Sequence, residues 1–222
     1  MNAGGGLERP HVFLPAEKSA AGSPLLLLHG TGGNEHDLLP LRDRLSPGAA
    51  VLSVRGTVLE NGMPRFFRRI SEGVFDEEDI RRRADELAEF VTTASSAYGI
   101  DGGSLVAVGF SNGANIASAL LLQHPGLVGA AVLLSAMVPF SDPPAADLTG
   151  TVVVISNGDQ DPMITSDTTR QLATQLRDRR ADVVELPHPG GHQIDPAVLP
   201  QISTIICRPE RQIRPHPSTG RP

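Results

Sequence analysis

Ser111 lies within Gly109-Phe110-Ser111-Asn112-Gly113, directly after the apolar run 105–108 and directly before an alanine-rich segment of helical character. A serine on a sharp strand-to-helix turn exposes its Oγ above a sheet. Glycines two residues to either side leave room for the strained backbone and for the helix packed beneath it. A serine hydroxyl is a weak nucleophile near neutral pH, so it needs a base, and the base needs an acceptor that fixes its tautomer. Asp161 lies in Asn157-Gly158-Asp159-Gln160-Asp161-Pro162 after an apolar run at 151–155, and His192 lies in Gly190-Gly191-His192 after another at 183–186. Asp159 is the rival acid and His188 the rival base. Asp161 is preferred because Pro162 fixes the turn beyond it, and His192 because the glycine pair before it lets backbone approach closely. Taken singly, Ser111 reads as a glycine-turn residue, Asp161 as a cap and His192 as a surface loop residue. In this order, each beyond the carboxyl end of a strand, they read as nucleophile, acid and base of acyl transfer, chemistry that needs no cofactor.

Acyl transfer also needs donors aimed where negative charge develops. His29-Gly30-Thr31-Gly32-Gly33 follows the apolar run 25–28, and the backbone N–H groups of Thr31 and Asn112 are placed to supply an oxyanion hole. A phosphate-cradling loop is the rival, but the segment lacks the Gly-Lys-Ser/Thr ending of a P-loop and the full G-x-G-x-x-G pattern. His29 reads as a residue that orients the loop. His11, His36, His124 and His216 have no spacing that suggests a metal site.

The elements that must position these residues alternate. Short, continuous apolar runs at 25–28 and 51–54 read as strands buried on both faces, and 105–108, 128–134, 151–155 and 183–186 read as further strands. Helical spacing is visible at 35–45, 76–98, 112–124, 166–179 and 196–207. Strands alternating with helices predict an α/β fold, a mostly parallel central sheet covered on both faces. The Arg81-Arg82-Arg83 run reads as a solvated helix face in preference to a basic docking patch.

The chain has 222 residues, 40% hydrophobic and 20% charged, which suits one domain at 11–207. Residues 1–10 are expected to form a flexible N-terminus, and 208–222, with four prolines and little apolar content, a disordered tail. A net charge of −6 gives no footprint for nucleic acid. The single Cys207 excludes an intramolecular disulfide framework, and the opening residues lack the pattern of a secretion signal, so a cytoplasmic location is expected. No run is long and apolar enough to span a membrane. The expected partner is a small molecule, with neither nucleic acid nor membrane, and a homodimer stays open.

Leu28-His29-Gly30-Thr31-Gly32-Gly33-Asn34-Glu35, Gly109-Phe110-Ser111-Asn112-Gly113-Ala114-Asn115 and Asp161-Pro162 together resemble the blocks of the phospholipase/carboxylesterase family of α/β-hydrolases, which is related to dienelactone hydrolases. The resemblance covers about residues 10 to 207. Arg65-Phe66-Phe67-Arg68-Arg69, followed by Gly73-Val74-Phe75-Asp76-Glu77, is similar to a bacterial carboxylesterase subgroup with members linked to hydroquinone and catechol stress. Carried over by position, the resemblance implies the α/β-hydrolase fold, Ser111 as nucleophile, Asp161 as orienting acid, His192 as base, and Thr31 and Asn112 as oxyanion donors. Serine stands where dienelactone hydrolase proper has cysteine, which argues against dienelactone turnover. The connection 136–150 is too short for the cap domain of larger relatives, so small or short-chain esters are expected. Phe66, Phe67, Met137, Val138 and Met163 are candidate pocket walls, each of which could equally be core. The alternatives are an acyl-protein thioesterase or lysophospholipase with long-chain preference, and a non-catalytic small-molecule-binding protein of the same fold.

Overall fold

The uninterrupted apolar runs of the sequence form the middle of a sheet. The structure is a computed structural model that describes residues 7–18 and 20–207. The chain runs through β1 (His11–Leu14), β2 (Leu25–Leu28), α1 (Leu41–Leu45) and β3 (Val51–Val54). Two small hairpins follow, β4 (Val58–Glu60) with β5 (Met63–Arg65) and β6 (Arg69–Ser71) with β7 (Val74–Phe75). Then come α2 (Glu77–Tyr98), β8 (Val106–Phe110), α3 (Asn112–Gln123), β9 (Ala130–Leu134), β10 (Val152–Ser156), α4 (Ser166–Arg177), β11 (Asp182–Glu185) and α5 (Leu199–Ile206).

The seven-stranded sheet has the order β1-β3-β2-β8-β9-β10-β11, parallel throughout except for β1, which pairs antiparallel with β3. Alternate side chains of a strand face opposite ways. Leu26 and Leu28 therefore join a core with Leu87 of α2, Leu120 of α3 and Leu172 of α4, whereas Leu25 and Leu27 join a second core with Leu45 of α1 and Ile202 of α5. Each fully buried leucine of the two cores contributes about 1.5–3 kcal/mol. The chain adds β3 to one side of β2 and later β8 to the other. The crevice outside the carboxyl ends of β2 and β8 is thus a switch point, where open α/β sheets bind ligands.

Helix α2 starts where its sequence says it should. Asp76 caps it by accepting the Asp79 N–H at 3.0 Å, three acidic residues fill its first turn, and Gly99 ends it at φ 68°. Its arginine run has local partners. Arg82 and Arg83 pair with the buried Asp79, and the Arg81 guanidinium lies 4.3 Å from the Phe140 ring centroid. Burial alone would push the Asp79 carboxyl up. The Arg68 N–H and the arginines around it reverse that and hold it below its usual value.

Several expectations need correction. Only 41–45 of the expected 35–45 helix is helical. Upstream, Asn34 Oδ1 accepts the His36 N–H and Asp37 Oδ2 the Asn34 N–H, so short polar side chains hold 34–37 in turns. Strand β1 and the two hairpins had no counterpart among the expected elements. Of the termini expected to be loose, 1–6 and 208–222 lie outside the described residues. Leu7 and Arg9, however, are packed on the domain. The Arg9 guanidinium lies 5.7 Å from the Phe66 ring centroid and 6.0 Å from that of Phe90, and burial pushes its pKa down to about 10. No helix among the described residues is long and apolar enough to cross a membrane.

Candidate active site

Ser111 occupies the turn between β8 and α3 with φ 52° and ψ −114°, a conformation that costs a non-glycine residue about 1–3 kcal/mol. The neighbouring packing enforces it. A Cβ at Gly113 would stand 2.0 Å from the Leu28 carbonyl oxygen, and one at Gly109 would stand 2.3 Å from that of Gly113. Helix α3 therefore begins against the end of β2, a closeness that only glycine permits. The Ser111 N–H donates to Leu134 O at 2.8 Å, tying the turn to β9 as well.

The sheet brings the three expected residues together. Ser111 Oγ lies 2.8 Å from His192 Nε2, and His192 Nδ1 lies 2.7 Å from Asp161 Oδ2. A carboxylate oxygen can only accept here, so Nδ1 carries the imidazole proton and Nε2 is left to accept from the serine hydroxyl. Asp161 is buried, and its other oxygen accepts the Met163 N–H at 2.9 Å. The acid and base loops are stitched along their backbones. Asp159 N–H donates to His188 O at 2.8 Å, Gln160 N–H to Gly190 O at 3.0 Å, and His188 N–H to Asn157 O at 3.2 Å. Asp159, the rival acid, is exposed and points no side-chain bond at either histidine. His188, the rival base, is buried and accepts the Gly190 N–H at its Nδ1 at 3.2 Å, away from Ser111.

The loop after β2 is held from three sides. His29 Nδ1–H donates to Gly30 O at 2.6 Å, and the Gly56 N–H donates to His29 Nε2 at 2.9 Å. These bonds suit only the neutral ring, and burial holds its pKa below 6.5 despite the opposing Gly30 carbonyl. Gly32 N–H donates to Pro64 O at 2.9 Å, and Arg65 Nη1 donates to Thr31 Oγ1 at 2.8 Å. Thr31 and Asn112 both line the cavity that holds Ser111 and His192. Among the described residues their backbone N–H groups have no acceptor. Asn112 also opens α3, so the positive end of the helix dipole faces the same place. Its side-chain Oδ1 accepts the Phe66 N–H at 2.7 Å, which locks the first hairpin's exit to the serine turn.

The cavity measures about 500 Å³. Met137 and Met163 line it, as expected. Phe66, Phe67 and Val138 do not. Both phenylalanines are fully buried in the core shared with α2, and Val138 packs against the same core. The wall is made by residues that local sequence reasoning passed over: Phe75, Phe110, Asn115, Ser135, Arg65 and Arg69. Phe75, which lines the cavity, packs edge-on against the buried Phe67 ring at 5.2 Å. No helix or strand fills 136–150. Arg179 donates to Pro143 O and to Pro144 O, each at 2.7 Å, and so ties that connection down on the domain.

Comparison with known proteins agrees with this fold. The sequence profile of the Phospholipase/Carboxylesterase family matches residues 10–208. MhqD of Bacillus subtilis (strain 168) is 47% identical over 184 residues, which cover 83% of this chain and 90% of MhqD. The crystal structure of the Bacillus cereus carboxylesterase superposes with a TM-score of 0.86 at 44% identity, covering 90% of this chain and 93% of that one. A carboxylesterase from Mesorhizobium loti superposes with a TM-score of 0.82 at 33% identity, covering 88% and 94%. With its seven-stranded sheet, its serine turn and a profile match along nearly the whole chain, the protein belongs to the phospholipase/carboxylesterase family of α/β-hydrolases.

Proposed function

We propose that this protein is a serine carboxylesterase that cleaves small or short-chain esters through an acyl-enzyme on Ser111. The observation that carries the reading is the relay of two short contacts, Ser111 Oγ to His192 Nε2 at 2.8 Å and His192 Nδ1 to Asp161 Oδ2 at 2.7 Å. As Ser111 Oγ attacks the ester carbonyl, His192 Nε2 takes its proton, and Asp161 stabilises the imidazolium that forms. The oxyanion of the tetrahedral intermediate accepts from the N–H groups of Thr31 and Asn112, which have no acceptor among the described residues. His192 then protonates the leaving alkoxide. Water enters, gives its proton to the same nitrogen, and releases the acid.

Substrate size is argued from the cavity. About 500 Å³, walled in part by Arg65, Arg69 and Glu72, suits a compact ester better than a long alkyl chain, which would bury apolar carbon against charge. Intact mass after exposure to a fluorophosphonate, on wild type and Ser111→Ala, tests the nucleophile. A series of 4-nitrophenyl esters from acetate to palmitate tests the size. Labelling of wild type alone with fastest turnover on the short esters is the expected result. Turnover that rises to palmitate would overturn the size assignment in favour of a long-chain thioesterase or lysophospholipase. Absence of both labelling and turnover would leave a binding protein.

A further inference from the structure

We infer that the cavity selects esters that carry a free carboxylate, and that Arg65, with Arg69 beside it, is the group that recognises it. The inference rests on the esterase reading above and deepens it. Arg65 ends β5 and is 3% exposed, yet it lines the same cavity as Ser111 and His192. Its bonds leave part of the guanidinium unused. Nη1 donates to Thr31 Oγ1 at 2.8 Å, Nε donates to Phe67 O at 3.2 Å, and Glu60 Oε2 lies 3.3 Å from Nε. Nη2 has no acceptor among the described residues, and it is not sealed inside the protein. On a residue so deeply buried, the surface that remains opens on the cavity it lines.

A guanidinium held almost wholly in the protein, with one donor turned to a cavity, is a strong place for an anion to bind, because it offers a charge-assisted bond with little ordering of the side chain. The surrounding charge leaves room for one. Arg69, on β6, uses its Nε and Nη2 on Glu60 Oε1 at 2.8 and 2.7 Å. One carboxylate thus serves two guanidiniums, and the pair keeps an excess positive charge at the cavity wall. Glu72, at the tip of the second hairpin, is the carboxylate that lines the cavity itself, and it is exposed to solvent. Its charge is screened by water, whereas that of Arg65 is not. The planar fork of arginine matches a carboxylate with two parallel bonds, which a neutral ester terminus cannot reproduce. The reaction stays simple hydrolysis: the acyl C–O bond breaks, water supplies hydroxyl to the acyl carbon and a proton to the alcohol. The product carries the recognised carboxylate away on whichever half bears it.

Two matched ester pairs separate the halves. Monomethyl adipate against methyl hexanoate places the carboxylate on the acyl side, and 4-acetoxybenzoate against 4-methylphenyl acetate places it on the alcohol side. Each kcat/KM is divided by the ester's own hydroxide-catalysed rate. Wild type is expected to favour the carboxylate member of at least one pair by about 10- to 100-fold, the range of a charge-assisted hydrogen bond. That ratio should fall toward one in Arg65→Gln and part of the way in Arg69→Gln. Because the ratio is taken within each variant, any damage that Arg65→Gln does to the Thr31 loop lowers both members and cancels. Should Arg65→Gln fail to fold, Arg69→Gln carries the test alone. Ratios near or below one in wild type for both pairs, or ratios unchanged in the variants that fold, would overturn the inference while fluorophosphonate labelling leaves the esterase standing. If Ser111 is not labelled and none of the four esters turns over, the esterase reading itself fails.

Discussion

Asp161→Asn is the sharpest test of the relay, because both oxygens of Asp161 already have fixed roles. Oδ2 accepts from His192 Nδ1 at 2.7 Å and Oδ1 accepts the Met163 N–H at 2.9 Å. An asparagine has one acceptor to offer where the site asks for two. With its oxygen toward His192, its NH₂ faces the Met163 N–H, and a buried donor left unsatisfied costs about 1–3 kcal/mol. Turned over, it satisfies both neighbours, but it now donates to Nδ1, and the imidazole proton moves to Nε2, where it meets the Ser111 hydroxyl as a donor. The second arrangement wins, so the competent tautomer is depleted by about 5- to 150-fold, at 1.4 kcal/mol per decade. Loss of the carboxylate's charge-assisted bond to the imidazolium removes roughly another tenfold. The expected loss in kcat/KM on 4-nitrophenyl acetate is therefore about 10² to 10³, with fluorophosphonate labelling slowed in parallel. The melting temperature should stay near wild type, since the flipped amide leaves no buried group unpaired. Asp159→Asn, at an exposed position, should change the rate by less than about threefold. A loss below tenfold in Asp161→Asn, or an equal loss in Asp159→Asn, would refute the assignment of the acid.

Further outcomes follow from backbone strain, close approach and a buried histidine. Ser111→Ala and Ser111→Gly should both abolish turnover. The glycine variant should be the more stable by about 1 kcal/mol, or a few degrees in melting temperature, because it releases the strain at φ 52°; equal stability would show that the turn is not strained. Gly113→Ala puts a methyl group 2.0 Å from the Leu28 carbonyl oxygen and should cost about 1–3 kcal/mol or more, measured by urea unfolding; a neutral change would contradict the packing of α3 on β2. His29 is held neutral in the fold, so below pH 6.5 the unfolded chain binds a proton that the folded chain resists, and stability falls with pH from there toward the lowered folded value. Its amide analogue His29→Gln can keep both loop bonds without titrating, so melting temperatures between pH 7.5 and 5 should fall less steeply in that variant; equal slopes would show that His29 titrates freely in the fold.

What was legible in the sequence had local signatures. Ser111, Asp161 and His192 each follow a strand of the parallel sheet and carry their own glycine or proline punctuation, so both the sheet and the order of the candidate site could be read along the chain, although β11, before His192, is a half-exposed edge strand. The glycine-rich loop after β2, which brings Thr31 to the same cavity, was legible for the same reason. The hairpins were not, because their strands are two or three residues long and half exposed, too short for a period to register. One signal was available: Asn61-Gly62, at φ 52° and 80°, is the pair that a two-residue hairpin turn favours. Consecutive aromatics such as Phe66 and Phe67 give no indication whether they face a cavity or a core. Here the Asn112 side chain draws the Phe66 N–H inward, a contact across 46 residues that no local pattern encodes.

This division of legibility follows a division of labour within the fold. The candidate catalytic groups stand on the loops that follow β2, β8, β10 and β11, elements fixed by two apolar cores. Much of the polar wall comes from the hairpins, whose polar links to the loop after β2 and to the serine turn are few: Arg65 to Thr31, Phe66 to Asn112, Pro64 to Gly32. Substitutions on the hairpins outside those links, Arg69→Gln among them, should therefore change which ester is preferred while Ser111 keeps its reactivity toward a small fluorophosphonate. Changes to the links themselves should move both together. Arg65 belongs to both sets, since one of its nitrogens holds the Thr31 loop while the residue also lines the cavity. That is why its effect has to be read as a ratio of two esters and not as a loss of rate.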